Sequence, residues 1–330
     1  MIEPYPVRFQ PLFRDYLWGG GRLQSVLGKP TGPGIWAESW EVVDHHNGQS
    51  VVANGPAAGK TLAQLMQLWQ GRLVGDGVWQ RIQGPTIPAQ LRGRFPLLFK
   101  FLDAAQDLSV QVHPNDVAAA RQSPPDLGKT EAWYILDAAP GARIYAGLQP
   151  GVTREQFAAA IERGAVTPLL HSFPAETGQC VFIPAGTIHA IGAGLLVAEI
   201  QQASDTTFRI DDWGRVGTDG RPRPLHVPQA LAVSDFETGP VAPIATAGNS
   251  AKELLVECPY FQLIRRRTKD AFRLGGDSRL HLLAVTKGRV LLEGAGELLE
   301  RGATLLLPAA ANASLFCPEG AAELLEIMIP

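Results

Sequence analysis

In the segment LSVQVHPND, Gln111 and His113 lie two positions apart among apolar residues. An extended chain turns alternate side chains to one face, so a strand here presents an amide and an imidazole side by side. Further on, GKTEAWYIL places Glu131 at the head of another apolar run, and GQCVFIPAGTIHAIG carries His189 just past a Pro-Ala-Gly turn. Two imidazoles, a carboxylate and an amide suit zinc or another divalent first-row metal. Each residue also has a plainer reading: Glu131 as a surface partner of Lys129, His189 as a structural imidazole. The joint pattern is what points to an ion.

Lys100 interrupts the apolar run PLLFKFL. A charge is costly there unless it faces a wet cavity or an anion, the competing reading being an edge-strand lysine that discourages aggregation. His45 and His46 precede Asn47-Gly48, a hairpin-turn signal, and read as an exposed turn. His171, His226 and His281 have no partner motif. Trp18, Trp36 and Trp40 could wall a sugar pocket or pack a core.

Positioning such groups requires a stiff scaffold, and the 35 Gly and 26 Pro cut the chain into short, strand-like segments rich in Val, Ile, Leu and Phe. Strands are expected over 40–43, 97–102, 109–112, 132–136, 180–183, 195–201 and 207–210, in an antiparallel sandwich or barrel. Helices are expected over 61–73 and 153–163, the second opening on Thr153 and Gln156 in capping-box spacing and ending at Gly164. The stretch 236–250, crowded with Gly, Pro, Ala and Thr, reads as a linker. GQCVFIP and GATLLLP, each with Gly and Pro six positions apart, suggest two related β units.

A chain of 330 residues accommodates roughly two domains of about 100–200 residues each. A net charge of -3 with no basic run argues against nucleic acid as a partner. The N-terminal segment lacks a signal pattern and no run of about 18 apolar residues occurs, so no membrane is expected and a cytoplasmic location is. Cys180, Cys258 and Cys317 are widely spaced and read as reduced thiols.

The Gly178–His189 segment resembles the second signature motif of the cupin superfamily, although Ala193 stands where family motifs often carry Asn. Beyond it, FKFLDAAQDLSVQVHPND, GKTEAWYIL, PAGTIHAIGAG and LVAEIQQASDTTFRIDDWGR, in this order, look like mannose-6-phosphate isomerases of the short bacterial kind. With AESWEVVDHHNG and Trp18-Gly19-Gly20, the resemblance covers roughly residues 5–235. It implies a mainly β fold of two cupin-like jelly-roll barrels with a few helices attached to the first. Residues 1–240 would form the catalytic unit with its helical insertions, and 241–330 a degenerate unit without metal. It implies one zinc ion per chain on Gln111, His113, Glu131 and His189, a catalytic Arg209 with Glu199 as its acid, and Ser109, Lys100 and Lys129 near the sugar phosphate. Phe208 and Ile188 depart from the commoner Tyr and Pro without removing a functional group.

The implied reaction interconverts mannose 6-phosphate and fructose 6-phosphate through an enediol or enediolate, on a small sugar phosphate and as a monomer or weak homodimer. Two other readings use the same donors. Another metal-cupin enzyme such as a dioxygenase typically wants more imidazole and gives no reason for Lys129 and Arg209 together. A non-enzymatic sugar-binding cupin would keep the metal but has no use for Arg209 and Glu199.

Overall fold

A computed structural model describes residues 2–217, 220–246, 248 and 250–330. The expected strands are present, Cys180–Ile183 to the residue and others longer, such as Leu97–Ala104 by two residues and Glu131–Ala138 by three. The chain has a mainly β, cupin fold. A six-stranded antiparallel sheet runs in the order Cys180–Ile183, Glu131–Ala138, Leu195–Gln202, Leu97–Ala104, Glu38–Val42 and Leu12–Arg14. A five-stranded sheet packs on its inner face, in the order Leu170–Pro174, Arg143–Leu148, His189–Ile191, Val110–Val112 and Phe208–Asp211.

The C-terminal strands form two more sheets, one of five strands (Lys252–Glu257, Gln262–Thr268, Ala322–Met328, His281–Lys287, Thr304–Leu307) and one of four. The two halves of the suspected repeat are equivalent in place. Gly178 and Gly302 both have left-handed backbone, φ +91° and +88°. Each leads into a four-residue strand at the edge of its sheet, Cys180–Ile183 and Thr304–Leu307. Their neighbours follow in matching order.

The inner strands of the six-stranded sheet are buried on both faces. Trp133, Ile135, Val197 and Leu102 point inward toward Ile144, Ala146 and Ile191. The alternate residues Phe99, Phe101, Ala132, Tyr134 and Ile200 share a core with Leu282, Leu306, Leu325 and Ile327 of the C-terminal sheets. This follows from strand alternation in a run apolar at nearly every position. Each large side chain so buried stabilises the fold by about 1.5–3 kcal/mol. Polar contacts cross the same seam: Lys29 donates to the Gly302 carbonyl at 2.7 Å, and Thr304 to Glu41 at 3.0 Å.

Both expected helices form. Thr61 and Thr153 cap them with full capping boxes, and the second covers Arg154–Glu162. The first, however, is Leu62–Trp69 and Gly71–Val74, broken where Gln70 adopts φ +49°. The expected linker, of which positions 247 and 249 lie outside the described residues, is tied down. The Val241 amide donates to Ala146 and the Ile244 amide to Cys180, so this stretch runs along both sheets of the N-terminal unit. Cys180 is buried, and burial pushes its thiol up to about 12.

Candidate metal centre and substrate pocket

Three strands bring the four predicted ligands together. Val110 and Val112 anchor their strand in an apolar cluster, which leaves Gln111 on the opposite face. Strand pairing sets His189 directly opposite Gln111, and Glu131 heads its strand opposite Gln201. The Pro-Ala-Gly turn does its part through backbone: the Gly186 amide donates to the His113 carbonyl at 2.9 Å. Gly186 has φ +92°, and a Cβ there would lie 3.2 Å from the Val233 carbonyl oxygen, so glycine is required.

His113, Glu131 and His189 are each at most 1% exposed, and their donor atoms lie within 4.8 Å of one another. His113 Nε2 is 3.5 Å from Glu131 Oε2, and His189 Nε2 is 3.3 Å from Glu131 Oε1. His113 Nδ1 bonds the Thr206 carbonyl and His189 Nδ1 the Thr187 carbonyl, both at 2.9 Å. A carbonyl only accepts, so each Nδ1 carries the proton and each Nε2 keeps its lone pair for the centre. Burial, with Lys129 and His189 alongside, holds His113 well below the usual imidazole range, and burial lowers His189 to about 4. Both rings are therefore neutral, as ligation requires. The Trp133 ring meets His189 edge-on at 5.3 Å and steadies it.

The donor set fits a divalent cation. The Lys129 ammonium already stands among these lone pairs, 2.9 Å from both Glu131 Oε2 and His113 Nε2. The Gln111 side-chain amide ends 3.3 Å from His189 Nε2, and a half-turn of the amide presents its oxygen to the same point.

Beside this group lies a cavity of about 270 Å³ lined by Lys100, Ser109, Gln111, Lys129, Glu199 and Arg209. The structure thus gathers every predicted site residue into one region. Its size is near the lower end of the usual pocket range of about 300–1,000 Å³ and suits one small polar molecule. Lys100 lies on an inner strand of its sheet, so the edge-strand reading does not apply. Its ammonium is 3.2 Å from Glu199 and 3.4 Å from Glu38. Burial works against that ammonium, but Glu199 and Glu38 more than reverse it and raise its pKa. Burial also raises Glu199, despite Lys100. Three buried carboxylates, Glu38, Glu131 and Glu199, face two buried ammoniums, Lys100 and Lys129; this excess raises Lys100 and, through Glu131, adds to the effect of burial on Glu199. Arg209 is half-buried, with Nη1 donating to the Pro224 carbonyl at 2.8 Å. Among the described residues it makes no salt bridge to a carboxylate, unlike the other pocket cations.

Sequence reasoning missed Tyr16, Glu38, Asp205, Thr207 and Arg223, which also line the cavity; Trp18 proves to be a wall rather than wholly core. Asp205 and Thr207 lie inside the SDTTFR segment beside Arg209, the one signal that could have found them. His45 is a correction. The hairpin it heads is present, Asp44–His45 pairing with Gly48–Gln49, but His45 is only 1% exposed. Its Nε2 lies 3.4 Å from Asp126, a partner that the local turn signal could not reveal.

A buried His/Glu/His group between two β-sheets, beside an ionic cavity, defines a metal-binding protein of cupin fold. Residues 7–134 match the family model of the phosphomannose isomerase type I catalytic domain. The mannose-6-phosphate isomerase ManA of Bacillus subtilis is 36% identical over 293 residues, covering 86% of each chain. A crystal structure of the mannose 6-phosphate isomerase from Bacillus subtilis superposes with a TM-score of 0.84 at 29% identity, covering 98% of this chain and 99% of that one. A mannose 6-phosphate isomerase structure bound with zinc and yttrium shares the fold, with a TM-score of 0.74 at 17% identity over 98% and 99% of the two chains. The chain belongs to the mannose-6-phosphate isomerase family.

Proposed function

We propose that this chain interconverts mannose 6-phosphate and fructose 6-phosphate, with one zinc ion held by Gln111, His113, Glu131 and His189. The observation that carries the reading is the pair of neutral imidazoles whose Nε2 lone pairs converge with Glu131 on the wall of a charged cavity. A bound divalent ion supplies Lewis-acid stabilisation of negative charge on the sugar oxygens.

The remaining work falls to the chain's own side chains. Glu199, raised by burial, takes up the proton from one carbon of the sugar and returns it to the neighbouring carbon. Arg209, a guanidinium that stays charged and has no carboxylate salt-bridge partner among the described residues, donates to the oxygen that becomes negative in the enediolate. Lys100 keeps Glu199 in place. Ser109 and Lys129 offer donors to the phosphorylated substrate, with Lys100 as the third. Residues 1–240 carry this chemistry, and 241–330 form a second cupin-like unit without metal. A net charge of -3 without a basic stripe supports a soluble cytoplasmic enzyme, monomeric or weakly dimeric, with no nucleic-acid or membrane partner.

A coupled assay on mannose 6-phosphate tests the proposal. Turnover is expected with the purified protein, lost on chelation and restored by added zinc. Full turnover in protein shown by elemental analysis to be metal-free would overturn it.

A further inference from the structure

Behind the candidate centre, outside the cavity, lies a buried carboxylate with an unusual number of donors. Asp126 is 5% exposed. Its Oδ2 accepts from the Ser204 hydroxyl at 2.9 Å, the Thr206 hydroxyl at 3.0 Å and the Asp205 amide at 3.4 Å. His45 Nε2 stands 3.4 Å from the same oxygen. Oδ1 accepts from the Leu127 amide at 2.9 Å, with Arg94 at 3.5 Å. Three consecutive residues, 204–206, are thereby gripped by one side chain.

That loop has two duties at the site. The Thr206 carbonyl accepts the His113 Nδ1 proton at 2.9 Å, which fixes the ring's tautomer and direction. Asp205 and Thr207, on either side, line the cavity. Sequence 204–207 contains no apolar side chain to hold it by packing, so its conformation depends on these hydrogen bonds. A carboxylate accepting several buried donors is a strong anchor because removing it leaves each donor unsatisfied.

We infer that Asp126 is a positioning residue: through Thr206 it sets the orientation of His113 toward the metal, and through Asp205 and Thr207 it sets one wall of the pocket. Arg94 serves it by offsetting its buried charge, and His45 by setting a ring nitrogen beside Oδ2. The inference rests on the metal-binding reading above and assigns a role to residues that touch neither ion nor substrate.

The test is metal affinity, measured on folded protein by competition between a chelator and zinc, with the visible spectrum of the cobalt(II)-substituted protein as a report on ligand geometry. Asp126→Asn keeps the shape and removes the charge, and zinc affinity is expected to fall by about 10–100-fold with a changed cobalt spectrum. Asp126→Glu should recover part of the loss. Thr206→Val, which removes a single donor, should weaken affinity less and in the same direction; it serves as the decisive variant if Asp126→Asn does not fold. Wild-type affinity and an unchanged cobalt spectrum in Thr206→Val, together with either of the Asp126 variants, overturn the inference. Failure of the wild-type protein itself to bind zinc or cobalt would instead overturn the metal reading.

Discussion

The two five- and six-stranded sheets that pack back to back carry the same strand order, and their registers can be laid one on the other. Ile183 pairs with Glu131 and Leu307 with His281, each at the fifth residue after the repeat glycine. Glu199 opposite Trp133 then corresponds to Glu326 opposite Leu283, and Lys100 opposite Glu199 to Ile264 opposite Glu326. Both sheets bury charge at this place but use it differently. In the C-terminal sheet the charged groups at this place pair with one another. His281 Nδ1 meets Glu326 at 2.9 Å, its Nε2 meets Asp277 at 3.0 Å, and Arg266 Nε closes on Glu326 at 2.5 Å. In the N-terminal unit the imidazoles come instead from the facing five-stranded sheet and the residue just past one of its strands; each bonds a backbone carbonyl through Nδ1 and turns Nε2 toward Glu131. His281 has a carboxylate on each ring nitrogen, whereas His113 and His189 converge on the single carboxylate of Glu131, and that convergence separates site from structure. Ala313, opposite His189 in the repeat, completes the contrast by offering no donor.

The largest expected effect breaks this comparison outright. His189→Ala should bring metal content toward zero and lower turnover by more than the about 10–100-fold typical of an outer partner, whereas His281→Ala should leave metal content and turnover near wild type. Elemental analysis beside kinetics decides it; a stoichiometric ion persisting in His189→Ala would place a site elsewhere.

Lys100→Ile imports the C-terminal residue into the N-terminal sheet. It strands Glu38 and Glu199 without their ammonium, at an expected cost of about 3–5 kcal/mol in stability, and it should also depress activity. Chemical denaturation would read the first effect, and a variant as stable as wild type would mean that the carboxylates do not need Lys100.

The smallest effect concerns pH. Although burial opposes it, hydrogen bonding to Glu326 and Asp277 raises the His281 pKa in the folded protein. A raised imidazole contributes stability that is fully present below its unfolded value of about 6.5 and is lost as pH rises through the folded value. The melting-temperature gap between wild type and His281→Gln should therefore be widest near about pH 6 and narrow toward about pH 9. A gap that does not change with pH would show that His281 is not held as a cation.

The four residues that converge at the candidate centre were legible because each carries its own local geometry: a two-residue spacing on a strand, a turn that aims an imidazole, a carboxylate at a strand head. The capped helices at Thr61 and Thr153 were legible for the same reason. What spacing encodes is a face, and it does not encode the group across from that face. Hence His45 read as an exposed turn when Asp126 buries it, and Glu38, Tyr16 and Arg223 went unnoticed although they wall the cavity. The composition of 236–250 marked a break in periodicity correctly, yet its backbone amides find carbonyls on two sheets. Register opposite Glu131 needed strand pairing before His281 acquired any meaning.

The face of the six-stranded sheet that turns away from the cavity bears Phe99, Phe101 and Tyr134, a surface that in a free-standing barrel would demand a companion subunit. Here the C-terminal strands provide that companion within the same polypeptide, tied on by Lys29 to Gly302 and by Tyr134 to Glu323 at 2.8 Å. An intramolecular companion cannot be lost by dilution, and its stoichiometry is fixed by covalent continuity. The strands that hold Lys100, Glu131 and Glu199 are thus backed equally well at the lowest protein concentration and the highest.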